Sequence, residues 1–335
     1  MPVTKFTNLD FDQIKTQIKD YLRANSNFTD FDFEGSNFSV LIDTLAYNTY
    51  ISAFNSNLVV NESFLDSATL RENVVSLARN IGYVPRSKTA SRASVSFDVT
   101  ANSTSTELRL QPGLVCVGRS NDSDIVFSIS EELIASTTVT SGIATASFGS
   151  VSEPIDILEG TFLTSQFVVD GSLDQRFILD NANIDTSSIV AYVGSPGIRG
   201  KQYKLVDNIV GISSISDTYL IQEVQDERYE LLFGDGIFGR KPDNGAVITV
   251  QYVVTSGSEG NGPSHFNFAG SFLGDAGQVI TPSFTPTVNT ISPAANGGDI
   301  ESVDSIKYFA PRLYSSQYRA VTARDYESIV QQVYP

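Results

Sequence analysis

Residues 34–85, EGSNFSVLIDTLAYNTYISAFNSNLVVNESFLDSATLRENVVSLARNIGYVP, constrain the fold more than any other stretch. They read as two amphipathic helices that close on a Gly-Tyr-x-Pro stop. Ser36 is placed to cap the first. Along that helix Phe38, Leu41, Ile42, Leu45 and Ala46 form one stripe, while Val40, Tyr47, Tyr50, Ile51, Phe54 and Leu58 occupy much of the opposite side. A helix that is apolar over most of its circumference needs cover over most of it. Three short helices cannot supply that cover, so the pattern calls for packing against the β-region or against another chain. Asp66 is the expected cap of the next helix, with Leu70, Val74, Leu77 and Ile81 as its stripe, Gly82 at the C′ position and Pro85 preventing continuation.

The flanking sequence extends this plan to an α+β fold. Upstream, Asp10 is placed to cap a helix with Gln13 in the capping-box position, and Phe11, Ile14, Ile18, Tyr21 and Leu22 fall on one face. From about residue 90 the texture changes to Ser, Thr, Val and Gly, and short alternating runs read as strands: SVSFDVT, LVCVG, IVFSI, the stretch around 142–148, QFVVD, RFILD, SIVAYV, TYLIQEV, YELLFG and AVITVQYVV. These form one sandwich or two subdomains, with residues 155–165 as a candidate split. Asp235-Gly236, in GDGIFG, reads as a hairpin turn between YELLF and AVITVQYVV. Near the C-terminus Ser302 or Asp299 opens a helix carrying Val303, Ile306, Tyr308 and Phe309. Thr322 opens another, with Asp325 in the capping-box position and Tyr326, Ile329 and Val330 as its apolar face. The expected organisation is a helical, bundle-forming segment at 1–88, a β-rich region at 89–295, and the opening of an incomplete α/β domain at 296–335.

Composition bears on function mainly by exclusion. Hydrophobic residues make up 41% of the 335 positions, and 24 glycines add roughly 7%, enough for a sizeable core. The formal charge is −16, from 22 Lys and Arg against 38 Asp and Glu. Nucleic-acid binding needs a basic face and a polybasic membrane anchor needs a cluster of cations; neither is expected. The N-terminus lacks the apolar core of a signal peptide, and no run approaches the 18 or so apolar residues of a membrane span. A soluble chain without membrane insertion is the expectation.

Catalytic constellations are equally thin. Cys116, the one cysteine, lies among apolar residues in LVCVG and reads as a buried, inert thiol. His265 is the one histidine, in a loop-like stretch; a zinc site needs more ligands than one of each. Asp30, Asp32 and Glu34 alternate in TDFDFEG without the spacing of a calcium-binding loop and read as a solvated connector. GDGIFG lacks the Gly-Lys-Ser/Thr of a P-loop and the βαβ setting of a dinucleotide fingerprint. The 21 Phe and 14 Tyr, with no Trp, serve a core more readily than a sugar platform. No catalytic residue, cofactor or metal is assigned.

Three blocks carry a family resemblance. EGSNFSVLIDTLAYNTY…NESFLDSATLRENVVSLARNIGYVPRS resembles the N-terminal signature of the baseplate wedge proteins of contractile-tailed bacteriophages, the baseplate J-like family. The matching residues there are Gly35-Ser36, Ala46-Tyr47, the run Phe64 to Ala68 with Asp66 inside it, Arg71, and Gly82-Tyr83-x-Pro85. FGDGIFGRKPDNGAVITVQYVVTSGSEGNG is similar to the family's strand-turn-strand block, with Gly234, Asp235 and Gly236. GGDIESVDSIKYFAPRLYSSQYRAVTARDYE is similar to its central block. The resemblance implies a structural, non-enzymatic wedge subunit of the virion tail baseplate, assembled in the host cytoplasm. Its implied partners are other wedge proteins and a second copy of itself, and indirectly the central hub and tail sheath. It implies that wedges join into a ring whose change triggers sheath contraction. Phe38, Leu41, Leu45, Tyr47, Tyr50, Phe54 and Leu58 become the expected helix-bundle contacts. Phe64, Leu65, Arg71, Gly82 and Tyr83 are expected to fix the helix turn, Arg71 by pairing with Asp66 or Asp43. Longer relatives continue past this chain's end, which leaves the ring-closing dimer contact open. Two other readings stand beside this one: a wedge component of a contractile injection or secretion machine, and a β-rich tail protein that binds host-surface glycans.

Overall fold

The structure, a computed structural model, describes residues 10–24, 36–120, 123–172, 174–198, 200–206, 211–317 and 319–333. The fold is α+β. It divides into two compact units, one of Met1–Tyr83 with Ser302–Ile329 and one of Val84–Glu301 with Val330–Pro335. The first is therefore discontinuous in sequence: helices from residues 302 onwards join the N-terminal ones, where the sequence groups 296–335 as a separate domain opening.

The helical unit holds α1 (Phe11–Ala24), α2 (Asn37–Glu62), α3 (Arg71–Asn80), α4 (Val303–Ser316) and most of α5 (Ala323–Val333). Local capping sets most of the helix starts. The Asp10 carboxylate accepts the amides of Asp12 (3.0 Å) and Gln13 (3.2 Å). Ser36 Oγ accepts the Ser39 amide at 3.0 Å, and Ser302 Oγ that of Ser305 at 3.2 Å. Thr322 and Asp325 form a reciprocal box at the start of α5, at 3.3 Å and 2.7 Å. Asp299, the other candidate for α4, instead accepts from the Ser258 hydroxyl at 2.7 Å.

The expected cap at Asp66 is wrong. Asp66 is exposed in the turn after α2, and α3 begins five residues later at Arg71. Glu62, the last residue of α2, takes the capping role. Its carboxylate accepts from the amides of Thr69 (2.8 Å) and Leu70 (3.3 Å), the Thr69 hydroxyl (2.7 Å) and the Asn73 side-chain amide (2.8 Å). An anion at a helix N-terminus is favoured by the unsatisfied N–H groups and the helix dipole. Leu70, assigned to the buried stripe, serves as N-cap instead and is 54% exposed.

The far end of α3 follows the expectation. The Gly82 N–H donates to the Arg79 carbonyl (2.9 Å) and the Tyr83 N–H to the Ala78 carbonyl (3.0 Å), the two bonds of a Schellman cap. Gly82 has φ +82°, and Tyr83 folds back into the core that α3 shares with α4. Val74, Val75, Ala78, Ile306, Ala310 and Leu313 fill that core. In α1, Ile14 is buried but Tyr21 is 71% exposed, so the apolar face is narrower than expected. Tyr308 on α4 is likewise exposed.

The β-unit carries two cores. Its first strands are β1 (Arg92–Asn102), β2 (Glu107–Leu110), β3 (Gly113–Ser120), β4 (Ser123–Ile129), β5 (Leu133–Ser136), β6 (Thr138–Thr140), β7 (Ile143–Phe148) and β8 (Ile155–Glu159). Then come β9 (Thr161–Val168), β10 (Phe177–Leu179), β11 (Ile184–Gly194), β12 (Lys201–Leu205), β13 (Thr218–Glu223), β14 (Tyr229–Phe233) and β15 (Val247–Val254). The last are β16 (Phe266–Phe268), β17 (Phe272–Gly274), β18 (Val279–Ile280) and β19 (Val288–Ala295). A sheet in the order β16-β3-β4-β8-β1-β7-β6, with β19 on β1, and a smaller sheet β18-β17-β2-β5 enclose one core of Phe97, Phe127, Phe148, Phe272 and neighbours. The sheet β10-β14-β13-β12-β11-β15-β9 builds the other around Leu179, Ile184, Leu231, Ile248 and Tyr252. The chain enters the second core at Thr161, inside the candidate split, and leaves it after Val254.

The turn at Asp235-Gly236 is not a hairpin between β14 and β15. β14 pairs with β13 and β10, and β15 lies between β11 and β9, so both edges of each strand are already taken.

Two predictions concern the helical unit. Gly82→Ala forces a Cβ into the left-handed region and lowers stability by about 1–2 kcal/mol, read as a shift in the thermal melt. For Glu62, burial opposes ionisation, but hydrogen bonds from Asn73, Thr69 and Leu70 outweigh it and hold the pKa below its ordinary 4.5. Stability from this group is therefore complete above pH 4.5 and is lost as pH falls through the lowered folded value. Glu62→Gln should lessen the acid sensitivity of the melt; an unchanged pH profile contradicts the assignment.

Candidate interaction site

The α2 residues singled out from sequence are mostly uncovered within the chain. Tyr47 is 60% exposed, Leu41 57%, Leu45 56% and Phe54 47%; Phe38 and Leu58 are each 42%, and Tyr50 is half-buried. Val40 and Val59 add further exposed apolar surface. The side facing inward carries Ser39, Ile42, Ala46, Asn57 and Asn61, and Asp43 accepts an ion pair from Lys15 of α1 at 2.6 Å.

At about 100° per residue, the exposed side chains fall into two rows. Phe38, Leu41 and Leu45 form one; Val40, Tyr47, Phe54 and Leu58 form the other. The rows are roughly 150° apart across the outward side of the helix, and the buried row lies in the wider arc, about 210°, on the inward side. One helix laid on α2 cannot cover both.

The motif residues have structural placements. Gly35 lies outside the described residues, as do Asp30, Asp32 and Glu34. Ser36 caps α2, Gly82 and Tyr83 close α3, and Pro85 is buried just beyond. Arg71 is the first residue of α3. The carbonyl of Phe64 accepts from the amides of Ser67 (3.1 Å) and Ala68 (2.8 Å), seating Ala68 in the helical core.

In the β-unit, Asp235 builds a compact turn. Its carboxylate accepts the amides of Ile237 and Phe238, each at 2.8 Å, and the Gly236 N–H donates to the Gly239 carbonyl at 3.0 Å. The Phe238 and Ile237 amides hold the carboxyl below its usual pKa. Gly234 must be glycine, because a Cβ there would sit 2.1 Å from the Gly239 carbonyl carbon. The exposure of Ile237 and Phe238 is a feature that strand alternation does not reveal.

The other chemistry-bearing residues stand apart from one another. Cys116 is fully buried, and burial pushes its thiol up to about 12. His265 is exposed. Among the described residues no three His, Cys, Asp or Glu side chains are grouped to hold a metal ion, and no helix is long and apolar enough to cross a membrane.

An N-terminal bundle with an apolar central helix, followed by a β-rich unit, has known counterparts. Residues 10–83 match the family described as baseplate wedge protein gp6-like, helical domain. The likeness extends along the chain: over 346 residues it is 28% identical to the baseplate wedge protein gp6 of Enterobacteria phage T4, covering 97% of this chain. The chain spans half the length of that relative. A solved structure of the anti-feeding prophage baseplate also aligns, over 96% of this chain and 56% of that one, at 12% identity. Its TM-score of 0.32 adds nothing further about this chain. These matches support the resemblance to baseplate wedge proteins; the baseplate J-like grouping remains an expectation.

Removing the Asp235 carboxylate tests the turn. Asp235→Ala should raise amide hydrogen exchange at Ile237 and Phe238 while leaving β14 and β15 protected. Equal protection before and after would show that the glycines alone hold the turn.

Proposed function

We propose that this chain is a structural wedge subunit of a contractile-tail baseplate, located in the virion tail. The observation that carries the reading is the double apolar row on α2, inside the segment that matches the gp6-like helical domain. Leaving such rows in water forgoes about 25 cal/mol per Å² of apolar surface, so helices from partner chains are the natural cover. The partners are other wedge proteins and a second copy of this chain, with the hub and sheath contacted indirectly as wedges close into a ring. The role is mechanical rather than enzymatic: the subunit holds neighbours together and takes part in the change that precedes sheath contraction. Phe38, Leu41, Leu45, Tyr47, Tyr50, Phe54 and Leu58 act as the bundle contacts. Ser36, Arg71, Gly82, Tyr83 and Pro85 set the helix ends that present them.

The test is Phe54→Asp, with Tyr47→Asp as a second variant. Both positions are exposed, so stability of the lone chain should change by no more than about 0.5 kcal/mol. Association with wedge partners should weaken tenfold or more, because the new carboxylate would be buried unpaired only in the complex. Mass by light scattering, alone and in mixtures, reads both effects. Unchanged assembly by both variants would remove α2 from the interface. Unfolding of the lone chain would place these residues in its own core.

A further inference from the structure

The described sheets of the β-unit end in strands of unequal length. β16, β6 and β10 have three residues each, β18 two and β5 four. Edge strands are kept short, or carry charge, proline or a bulge, because their unpaired N–H and C=O groups recruit other strands. β9 has none of these protections. It is eight residues long, TFLTSQFV holds no charged side chain and no proline, and it pairs with β15 from Thr161 to Val168 without a register shift. β19, the other long outer strand, carries Pro293 and is bonded through Ala294 to Gly262 and Pro263.

Strand parity shows which groups are open. The Val169 N–H donates to the Ala246 carbonyl at 2.9 Å. In the antiparallel ladder Phe167, Ser165 and Leu163 therefore also face β15, and Phe162, Thr164, Gln166 and Val168 face outward. The Val253 N–H agrees, since it turns the other way and donates to Ser188 Oγ beside β11 at 2.9 Å. Both ends of the edge are closed. Gln175 Nε2 donates to the Val168 carbonyl at 2.7 Å, and just before the strand the Gly160 N–H donates to the Val126 carbonyl of β4 at 2.9 Å. Between them, no described residue bonds the backbone N–H or C=O groups of Phe162, Thr164 and Gln166. β3 and β4 pass close to β9, yet Thr164 and Gln166 are exposed.

The chemistry of the occupant follows from this slot. Donors and acceptors repeating at every second residue are matched by an extended backbone, and a slot from Phe162 to Gln166 takes a strand of about five residues, the usual length. Its side chains would meet two different surroundings. On one face a groove of about 800 Å³ is lined by Gln166, Thr249 and Gln251 of this sheet, with Pro112, Ser130 and Glu131 from the loops before β3 and after β4. On the other face lie the half-buried Leu163 and Phe167, at the margin of the second core. The β9 edge of a second copy does not fit, because its own Gln175 and its own β4 flank the same short stretch and would meet those of the first.

We propose that β9 accepts an extended segment of a different wedge protein as an added strand along Phe162–Gln166, with side chains that alternate polar and apolar. The inference rests on the wedge reading and gives it a contact made by backbone groups, separate from the α2 rows.

The experiment follows amide hydrogen exchange residue by residue in the full chain, alone and mixed with the other wedge proteins of the same tail. In the lone chain Thr164 and Gln166 should exchange fast, while Leu163 and Ser165 are protected by β15. In the complex Thr164 and Gln166 should slow at least tenfold. Thr164→Pro removes an outward donor and leaves the ladder to β15 whole, as proline can at an edge whose N–H faces solvent. It should keep the lone chain folded and weaken the complex at least tenfold, read by light scattering. Gln166→Lys, which supplies the charge that edges usually carry, should weaken it as well. Fast exchange of both amides within a complex that does form would overturn strand addition and leave the wedge reading standing. Slowing that appears when the lone chain is concentrated would give the edge to a second copy and overturn the stated partner. Failure of any wedge complex to form would remove this inference together with the wedge reading.

Discussion

Three buried carboxylates hold the β-unit together where its chain passes between cores. Glu159 is 2% exposed, Asp185 1% and Glu301 3%. A carboxylate removed from water is tolerated only when donors surround it, and each of these meets backbone N–H groups from a distant segment. Glu159, at the end of β8, accepts from the Thr255 hydroxyl and the Ser256 amide (3.2 Å), just past β15. The outgoing and returning crossings thus lie side by side. Gly160 sits at the point of contact, where a Cβ would be 2.3 Å from the Val254 carbonyl oxygen. Asp185 of β11 accepts the Ala90 amide at 2.9 Å, and Glu301 that of Arg86 at 3.1 Å. The segment leading into β1 is thereby fastened to the second core and to the returning strand, and Thr89 exchanges backbone bonds with Gly298 beside it. Loss of the Asp185 acceptor would leave the buried Ala90 amide unpaired.

The two units solve the problem of apolar surface differently. In the β-unit, alternation places Phe97, Phe127, Phe148 and Phe272 inside, where ring contacts of 5.4 Å and 5.3 Å lock Phe148 between Phe97 and Phe272. In the helical unit the α3–α4 core is closed by the small residues Ala78 and Ala310, both fully buried, while α2 keeps its rows of Leu, Tyr and Phe outside. The exposed rows are therefore local to one helix and are no general looseness of the fold.

Signals confined to one helical turn were legible in the sequence. Asp10, Ser36, Thr322 with Asp325, and Gly82 each act on groups within three or four residues, so residue type and spacing suffice. The strand runs were legible from alternation, including the change of core near residue 160. Partner choice was not. Glu62 caps α3 from seven to eleven residues away, beyond any local box, and Asp66 carried the more familiar pattern without the geometry. The supposed β14–β15 hairpin failed because period-two alternation marks a strand without saying which strand lies beside it: β15 pairs instead with β9, some eighty residues earlier. For the candidate site, the surplus of apolar residues on α2 was visible, as was the need for cover. The outward aim of Ile237 and Phe238 was not, since a glycine-rich turn reads the same whichever way its side chains point.

The two exposed apolar surfaces, on α2 and on the turn at Ile237 and Phe238, differ in stiffness. A helix row of Leu, Phe and Tyr can adjust rotamers against another helix, and its contact energy is spread along several turns, so it tolerates variation in the partner. A turn pinned by Asp235 and two close-packed glycines cannot adjust, so it holds Ile237 and Phe238 in one fixed place on the surface of the β-unit.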